Sequence, residues 1–354
     1  MNPAARMLLR RIRGNIRRYR GDPEDICRQI IEACWNGRYL QVSDGHFQDF
    51  YCRDFGMCAE ALLACGYREY VVATMEYALR IFDRYDRITT TILKNGKPKD
   101  YFHPGIDSLP FLLRTLRLLA NSHLIVRYRD FLQRQIDRYS KWIDPKTGLV
   151  RSGLKLSTMK DHHQRKSSCY ANCMAGMCAM DAEALGLRWP YDHDPKTILM
   201  EHFYNGSFFD DDLGSTHVAG DANTFPFYCG IVEQKKIFIS CQKHIKQAGL
   251  DDPASLKYTA YPMNSSTIQS LLAPNYEGNT VWMHLGLCYC YILKHFNKAE
   301  LKNHLATYTE LIVRHKNFLE VFNPDLTPYR SPFYLTDESM SWAVMYLHLM
   351  QDVE

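Results

Sequence analysis

The sequence predicts an all-α protein, an (α/α)6 toroid of twelve helices in six antiparallel pairs. Apolar residues recur at helical spacing in twelve segments, and no alternating segment is long enough to anchor a sheet. The connections between these segments are short and long in turn. Because helices joined by a short link pack antiparallel, all six long connections should emerge at one end of a closed ring.

The helices and loops of this ring can be assigned along the chain. The predicted helices are 23–36, 54–65, 67–84, 107–120, 123–142, 167–185, 190–204, 221–232, 234–248, 279–296, 298–318 and 338–352. The long connections, called loops 1 to 6, are 37–53, 85–106, 143–166, 205–220, 249–278 and 319–337. Functional side chains commonly lie on loops held by a rigid scaffold, so we expect a site among these six loops.

Composition is that of an ordinary globular protein, with one unusual segment. The 354 residues are 46% hydrophobic and 23% charged, and the net charge of +4 favours no class of partner. Residues 1–21 contain no acid and seven arginines, namely Arg6, Arg10, Arg11, Arg13, Arg17, Arg18 and Arg20. We expect residues 1–21 to be a solvated basic extension of a single domain at 22–354. Binding to an anionic surface or to nucleic acid, or a transit peptide, are the alternatives.

Membrane insertion and secretion are not predicted. The sequence has no run of about 18 apolar residues that could span a bilayer, and its first residues lack the apolar core of a secretory signal. Twelve cysteines lie mostly within predicted helices, without the paired spacing of a zinc site. We therefore expect reduced, buried thiols in a cytoplasmic protein.

The segment 157–172, STMKDHHQRKSSCYAN, passes from a polar loop into a helix that begins near Lys166–Ser168, where two serines can cap the free amides. Asp161 lies in the loop part among cationic or titratable neighbours, namely Lys160, His162, His163, Arg165 and Lys166. A carboxylate in such surroundings is either a structural ion pair or a working acid, and both interpretations stay open. Two consecutive histidines usually point apart, so we expect no metal site here and no cofactor.

The six loops combine carboxylates, arginine and aromatic residues. This combination suits a pyranose, because carboxylates accept hydrogen bonds from hydroxyl groups and flat rings stack on the sugar face. Each residue also has a structural interpretation. Asp54 and Asp107 could simply charge or cap helix N-termini, Trp282 could belong to the core, and residues 210–212, three consecutive aspartates, are expected to be a solvated turn.

Three segments carry a resemblance to a known superfamily. They are FYCRDFGMCAEALLACG at 50–66, PNYEGNTVWMHLG at 274–286 and FLEVFNPDLTPY at 318–329. They resemble motifs of the six-hairpin glycosidases, which include glucoamylases, trehalases and the α-glucosidase and mannosylglycerate-hydrolase group. The resemblance covers about residues 38–352.

The resemblance implies an inverting glycoside hydrolase that acts on a glucosyl or related α-linked saccharide. In such enzymes a carboxylic acid protonates the leaving oxygen and a carboxylate activates water. The resemblance implies Asp161 as the acid and Glu320 as the base, with Glu277 as the alternative base. The residues expected to contact the sugar are Tyr51, Arg53, Asp54, Tyr101, His103, Asp107, His162, Asn279, Trp282 and Tyr329.

Two other classes of function stay open. A polysaccharide lyase on the same toroid would depend chiefly on Tyr101 and His103. A non-catalytic glycan-binding or scaffold protein would keep the loops without the acid and the base. In each case the expected partner is a saccharide, and nucleic acid is not expected.

Overall fold

The computed structural model describes residues 3–101, 103–161, 163, 165–253, 256–263 and 272–353. Within these residues there are thirteen helices, and the twelve from α2 onward follow the predicted helices in order. Their bounds are α1 Pro3–Arg13, α2 Pro23–Cys34, α3 Cys52–Ala64, α4 Arg68–Arg84, α5 Ser108–Leu119, α6 Ser122–Tyr139, α7 Cys169–Ala184, α8 Pro195–His202, α9 Phe225–Tyr228, α10 Lys235–Gln247, α11 Met283–Phe296, α12 Lys298–His315 and α13 Ala343–Gln351.

Six of these helices form an inner ring. Helices α3, α5, α7, α9, α11 and α13 each contact the next in the series, and α13 contacts α3, so the ring closes. Intervening helices pack behind them, with α4 on α3, α6 on α5, α8 on α7 and α12 on α11. This alternation of inner and outer helices confirms the predicted (α/α)6 toroid.

The inner helices are enclosed on all sides, and their sequences reflect this. All residues of 169–178 in α7 and of 283–293 in α11 are buried, as expected for helices that are apolar around their whole circumference. Helices α3 and α5 approach so closely that a Cβ atom on Gly56 would lie 2.4 Å from Cβ of Phe111. Only glycine fits at that crossing without displacing a helix.

Three helices depart most from their predicted bounds. Helix α8 begins at Pro195 because the side chain of Asp194 caps it. Helix α13 begins at Ala343 rather than near 338 because Ser339 has a φ of 55°, which is not helical. Helix α9 is confined to four residues of the predicted 221–232.

The long loops carry three small antiparallel sheets, whose strands are only two to four residues long. The strands are β1 Phe50–Tyr51, β2 Thr91–Ile92, β3 Pro98–Lys99, β4 Asp210–Asp212, β5 Ser215–Val218, β6 Leu256–Lys257, β7 Val281–Trp282 and β8 Val321–Phe322. They form the sheets β1-β2-β3, β4-β5 and β6-β7-β8. Between the observed helix ends, loops 1 to 6 are residues 35–51, 85–107, 140–168, 203–224, 248–282 and 316–342.

Backbone hydrogen bonds tie each loop to the next around the whole ring. Pairing of β1 with β2 joins loops 1 and 2, and pairing of β7 with β8 joins loops 5 and 6. The other junctions are Gly105 with Ser157 (loops 2 and 3), Leu213 with Lys166 (loops 3 and 4), Gly220 with Tyr258 (loops 4 and 5) and Ser43 with Met340 (loops 6 and 1). The six loops therefore converge at one end of the toroid, as the alternation of loop lengths predicted.

The basic N-terminal segment packs against loops 1 and 6. Within α1, Arg6 forms an ion pair with Asp49, and Arg10 forms ion pairs with Asp337 and Glu338. The prediction of a solvated extension is therefore wrong for these arginines, and Arg10 is only 8% exposed. The acids that neutralise them are distant in sequence, which is why the segment alone looks unpaired.

Two further properties of the chain bear on its environment. Among the described residues, no helix is both long enough and apolar enough to cross a bilayer. All twelve cysteines are free thiols, and all except Cys65 are buried.

Candidate active site

Asp161 lies on loop 3, ahead of α7. The start of α7 is fixed by Ser168, whose side chain accepts a hydrogen bond from the N–H of Ala171. Asp161 itself is half-buried. Its Oδ1 accepts hydrogen bonds from the hydroxyl of Ser157 at 2.6 Å and from the N–H of Thr158 at 2.8 Å. Among the described residues, both of these bonds fall on Oδ1.

The cations next to Asp161 in sequence pair with other acids. Nζ of Lys160 lies 2.8 Å from both carboxylate oxygens of Asp211 and 3.2 Å from a carboxylate oxygen of Asp221. Arg165 donates to the same two carboxylates, at 2.7 and 2.8 Å. Burial would raise the pKa of Asp211, but the charges of Lys160 and Arg165 hold it well below its usual value. Two buried cations thus balance two buried acids.

The prediction that residues 210–212 form a solvated turn is wrong for Asp211. This residue is 3% exposed and is the middle residue of β4, which pairs with β5. Successive side chains of a strand point to opposite faces, so the middle aspartate turns inward while its neighbours remain half-buried. Asp212 accepts a hydrogen bond from the N–H of Lys166.

Glu320 lies immediately before β8 and is 2% exposed. Its Oε2 accepts hydrogen bonds from the hydroxyl of Tyr334 at 2.6 Å and from the N–H of Asp337 at 2.8 Å. Its Oε1 accepts one from the hydroxyl of Tyr276. All three donors are neutral. Burial, and then the charge of Asp337, raise the pKa of Glu320 from 4.5 to about 7, which is the range in which a general base works best.

Asp337 is fully buried beside Glu320, and sequence reasoning missed it. It accepts hydrogen bonds from the N–H groups of His46 at 2.9 Å and Phe47 at 3.1 Å, and Nε of Arg10 lies 3.5 Å away. Burial would raise its pKa, but His46, Arg10 and the hydrogen bonds lower the pKa overall. Glu320 and Asp337 are therefore two neighbouring carboxyl groups whose environments move their pKa values apart, a pattern typical of acid–base sites.

Arg53 and Asp107, both expected to contact sugar, contact each other. Nε of Arg53 donates to Oδ2 of Asp107 at 2.6 Å, and its guanidinium also donates to the carbonyl oxygen of Thr158 at 2.7 Å. The hydroxyl of Tyr170 donates to the same Oδ2 at 2.7 Å. The side chain of Asp107 makes no capping bond to α5. Together these bonds hold Arg53 against loop 3, with 21% of its side chain exposed.

Asp54 lies in the first turn of α3 and accepts a hydrogen bond from the indole N–H of Trp342 at 3.1 Å. Burial raises the pKa of Asp54 to about 6, against the opposing charge of Arg53. The ring of Trp342 packs on His284, with centroids 4.5 Å apart. Burial lowers the pKa of His284 to about 3, and its Nε2 lies 3.2 Å from the hydroxyl of Tyr258. Trp342, His284 and Tyr258 thus form a neutral aromatic group next to the carboxyl group of Asp54.

Loops 1 and 2 together contribute an aromatic pair, and loop 2 contributes one wall of a cavity. Tyr51 and Tyr101 stack with ring centroids 6.0 Å apart. Nearby in sequence, His103 lines a cavity of about 250 Å³ together with Asp161. The other titratable residues that line it are Arg151, Lys155, His163 and Arg165. Glu320 does not line this cavity, and His162 lies outside the described residues.

Three further predicted residues are engaged in the packing of loops 5 and 6. The indole N–H of Trp282 and the hydroxyl of Tyr329 donate to backbone oxygens of loop 5, at 2.8 and 2.7 Å. Asn279 accepts a hydrogen bond from the side chain of Asn275. Trp282 and Tyr329 are both buried, so in this structure they support the loops rather than line the cavity.

Two adjacent residues of loop 5 join the surroundings of Asp161 and Glu320. Oε1 of Glu277 accepts a hydrogen bond from the N–H of Asp161 at 2.9 Å, and Tyr276 donates to Glu320. The three carboxylates with expected catalytic roles are thus brought together at the loop end of the toroid. Sequence reasoning missed Tyr276, although it stands inside PNYEG beside Glu277, and it gave no reason to connect either residue to Glu320.

The closed ring of helices with converging loops is the fold of the (α/α)6 glycosidases. No protein-family model and no curated protein matches the sequence. Solved structures do match. One is a glycosidase variant that superposes with a TM-score of 0.69 at 13% identity, over 94% of this chain and 96% of that one.

Two other matching structures name their sugars. A rhamnosidase from Klebsiella oxytoca with rhamnose bound has a TM-score of 0.68 at 13% identity, over 93% of this chain and 62% of that one. A GH63 mannosylglycerate hydrolase from Thermus thermophilus has a TM-score of 0.63 at 12% identity, over 93% of this chain and 100% of that one. These similarities confirm the fold that the six-hairpin resemblance implied.

Proposed function

We propose that the protein is a glycoside hydrolase that cleaves a glucosyl or related α-linked saccharide with inversion. Asp161 is the general acid and Glu320 the general base. Glu320 takes a proton from water, the water oxygen attacks the anomeric carbon, and Asp161 gives its proton to the departing glycosidic oxygen. One C–O bond forms and one breaks, and no cofactor is required.

The environment of Glu320 is the observation that carries this proposal. A base needs a pKa near the working pH, and burial raises the pKa of Glu320 to about 7. Three hydrogen bonds from neutral donors fix the orientation of its carboxylate. A carboxyl group that served only to neutralise a cation would instead lie against a lysine or arginine.

The position of Asp161 supports its role as the acid. It lines the cavity, and its Oδ1 is held by Ser157 and Thr158. Lys160 and Arg165, which would stabilise the ionised form of a nearby acid, are neutralised by other carboxylates. Oδ2 is then the atom that carries the proton to the substrate.

The substrate class is supported by the residues at the loop end and by the sugars named for similar structures. Arg53, Asp54 and the stacked pair Tyr51–Tyr101 supply the charged and aromatic groups that hold a pyranose. Rhamnose is bound in one similar structure, and another is a mannosylglycerate hydrolase. We propose that residues 22–354 form the single catalytic domain and that the enzyme works in the reducing cytosol, in keeping with twelve free cysteines.

The test compares Asp161→Asn and Glu320→Gln on natural and activated glycosides. Each general acid or base contributes about 10²–10⁴-fold to the rate, so both variants should lose most turnover on a natural α-glycoside. On an aryl glycoside, whose leaving group needs no proton, Asp161→Asn should recover much of its rate. Glu320→Gln should not, because water must still be deprotonated.

Asp325→Asn is the matched control. It makes the same chemical change on the same loop, at a surface carboxylate that accepts hydrogen bonds from Thr327, and should leave turnover unchanged. If Glu320→Gln keeps near-normal turnover and Glu277→Gln does not, the base is Glu277. If both glutamine variants stay active on a confirmed substrate, the two-carboxylate mechanism is wrong.

One observation favours a second candidate, a polysaccharide lyase. The titratable residues that line the cavity are cationic or imidazole groups, with Asp161 as the exception, and this suits an acidic sugar. In a lyase a base such as His103 would remove the C5 proton of a uronate and the C4–O bond would break, leaving a C4–C5 double bond. Absorbance of that unsaturated product, lost in His103→Ala, would identify this reaction.

A further inference from the structure

Helix α1 is amphipathic, but its apolar face points to solvent and its basic face points to the body of the protein. Successive residues lie about 100° apart around a helix, so Leu8, Leu9 and Ile12 share one arc of about 100°. All three are exposed, and Ile12 is 70% exposed. The opposite side of the helix carries Arg6 and Arg10, which form ion pairs with the body of the protein. The apolar face of α1 is thus held outward by arginines that face inward.

We propose that this face is a docking surface for an anionic lipid membrane. A basic amphipathic helix of this kind lies in the plane of a membrane, with its aliphatic side chains inserted and its arginines among the head groups. The structure already fixes the helix in the required orientation. Docking therefore needs no folding step, only contact of the exposed face with the lipid.

Two more exposed apolar side chains lie on the loops next to α1. Nε of Arg11 donates to the carbonyl oxygen of Ser331 at 2.7 Å, which places the tip of loop 6 beside the helix. Phe333, two residues further on, is 53% exposed. The hydroxyl of Ser331 in turn donates to the carbonyl oxygen of Leu272, whose side chain is also exposed. An aromatic ring and aliphatic residues at one edge are the side chains that membrane-surface proteins insert.

The charge of this surface selects an anionic membrane. Arg13, at the end of α1, and Arg18 and Arg20, in the segment that follows it, are exposed. In the described part of the chain, the ion pairs of this segment are made by Arg6, Arg10 and Arg17. Arg13, Arg18 and Arg20 therefore remain for an outside partner. Each basic residue near an anionic bilayer strengthens binding to it. Nucleic acid would use the arginines but not the leucines and isoleucine.

Docking through α1 would bring the loop end of the toroid to the membrane. Arg10 lies 3.5 Å from Asp337, and the N–H of Asp337 donates to Glu320. The docking face and the candidate base are therefore linked through one arginine and one aspartate. This placement does not depend on which reaction the site performs.

The test is co-sedimentation of the full chain with vesicles of two compositions. We expect binding to vesicles of phosphatidylcholine mixed with phosphatidylglycerol, little binding to phosphatidylcholine alone, and weakening as salt screens the head groups. Leu8→Asn with Ile12→Asn should lower binding about tenfold or more, because both changes remove aliphatic surface that would insert into the lipid. Arg13→Glu should lower binding to the anionic vesicles.

Two matched controls make the same kinds of change at exposed positions outside this surface. Val126→Asn changes an aliphatic residue that is 73% exposed on α6, and Lys302→Glu reverses an exposed charge on α12. Both should bind anionic vesicles as the unchanged chain does. All the altered positions are exposed, and equal melting temperatures would show that the variants fold.

Three outcomes would overturn the proposal. The unchanged chain could fail to bind either vesicle, or could bind both compositions equally. Vesicle binding could survive in Leu8→Asn with Ile12→Asn. Light scattering could show a dimer that this double change dissociates, without vesicle binding, and the face would then be an interface between two copies of the chain.

Discussion

Two buried groups of carboxylates lie at the loop end of the toroid, and they are neutralised in opposite ways. In the Lys160 cluster, made of Lys160, Arg165, Asp211 and Asp221, two cations face two acids. In the Glu320 cluster, made of Glu320, Asp337, Tyr276 and Tyr334, the donors to Glu320 are two hydroxyl groups and a backbone N–H.

The difference between the clusters decides what each can do. The pKa of Asp211 lies well below its usual value, so Asp211 stays ionised and can only hold loops 3 and 4 together. The pKa of Glu320 is about 7, so Glu320 can gain or lose a proton near neutral pH. A buried acid beside a fixed cation is structural, whereas a buried acid beside neutral donors is available for proton transfer.

Removing a cation from the Lys160 cluster should have the largest effect. Lys160→Met leaves Asp211 and Asp221 with one buried cation, and breaking a buried pair costs about 3–5 kcal/mol. Denaturant unfolding should show this loss of stability. Lys146→Met, at an exposed position on the same loop, should be nearly neutral. Equal stability of the two variants would show that the Lys160 cluster does not hold the loops.

The raised pKa of Glu320 should make the stability of the protein depend on pH. Since folding raises the pKa of Glu320 from 4.5 to about 7, its contribution is fully present below pH 4.5 and is lost as the pH rises through about 7. The stability of the unchanged chain relative to Glu320→Gln should therefore fall by roughly 3 kcal/mol over that window. A flat difference would mean that the pKa of Glu320 is not raised.

Arg10 is the nearest cation to the Glu320 cluster, and its loss should have an intermediate effect. Arg10→Met removes the partner of Asp337 and Glu338 and should cost about 2 kcal/mol, the size of a buried hydrogen bond to a charged group. Arg17→Met breaks an exposed pair with Asp44 and should cost less than about 1 kcal/mol. Unfolding curves of the two variants would show the contrast, and equal losses would contradict it.

The smallest effect should come from single hydroxyl groups. Tyr276→Phe removes a donor that stabilises ionised Glu320, so the acidic limb of the activity profile should move upward by about one pH unit. Tyr329→Phe is the control, because its hydroxyl donates to a backbone oxygen instead. The measurement is kcat/KM against pH. A shift in both variants, or in neither, would mean that Tyr276 does not set the pKa of Glu320.

The fold was accessible from the sequence because its signals are local. Helical spacing of apolar residues and the alternation of loop lengths depend on neighbouring residues, and they were sufficient for twelve helices and their order. Where a predicted helix boundary was wrong, a local backbone feature set the observed one, such as the left-handed φ of Ser339 before α13. The two-residue strands lie below the length at which alternation can be recognised.

The site was accessible only in part, because its interactions join distant residues. Asp161 and Glu320 stood out by residue type and resemblance, yet nothing near Glu320 in sequence indicates that Asp337 and two tyrosines surround it. In the same way, three consecutive aspartates give no sign that the middle one meets Lys160. Burial and pairing are properties of the closed ring, and no local pattern contains them.

The missing side chain at Gly56 sets the distance between α3 and α5. Gly56 lies in the same helical turn as Asp54, and Phe111 lies one turn after Asp107. A methyl group at position 56 would stand 2.4 Å from Phe111, whereas carbon atoms normally keep about 3.5–4.0 Å apart. Helix α5 would have to move outward by about 1 Å, and in a closed ring that displacement spreads to every neighbouring helix. The spacing of α3 and α5, on which the closure of the ring depends, is thus set by a position that carries only a hydrogen atom.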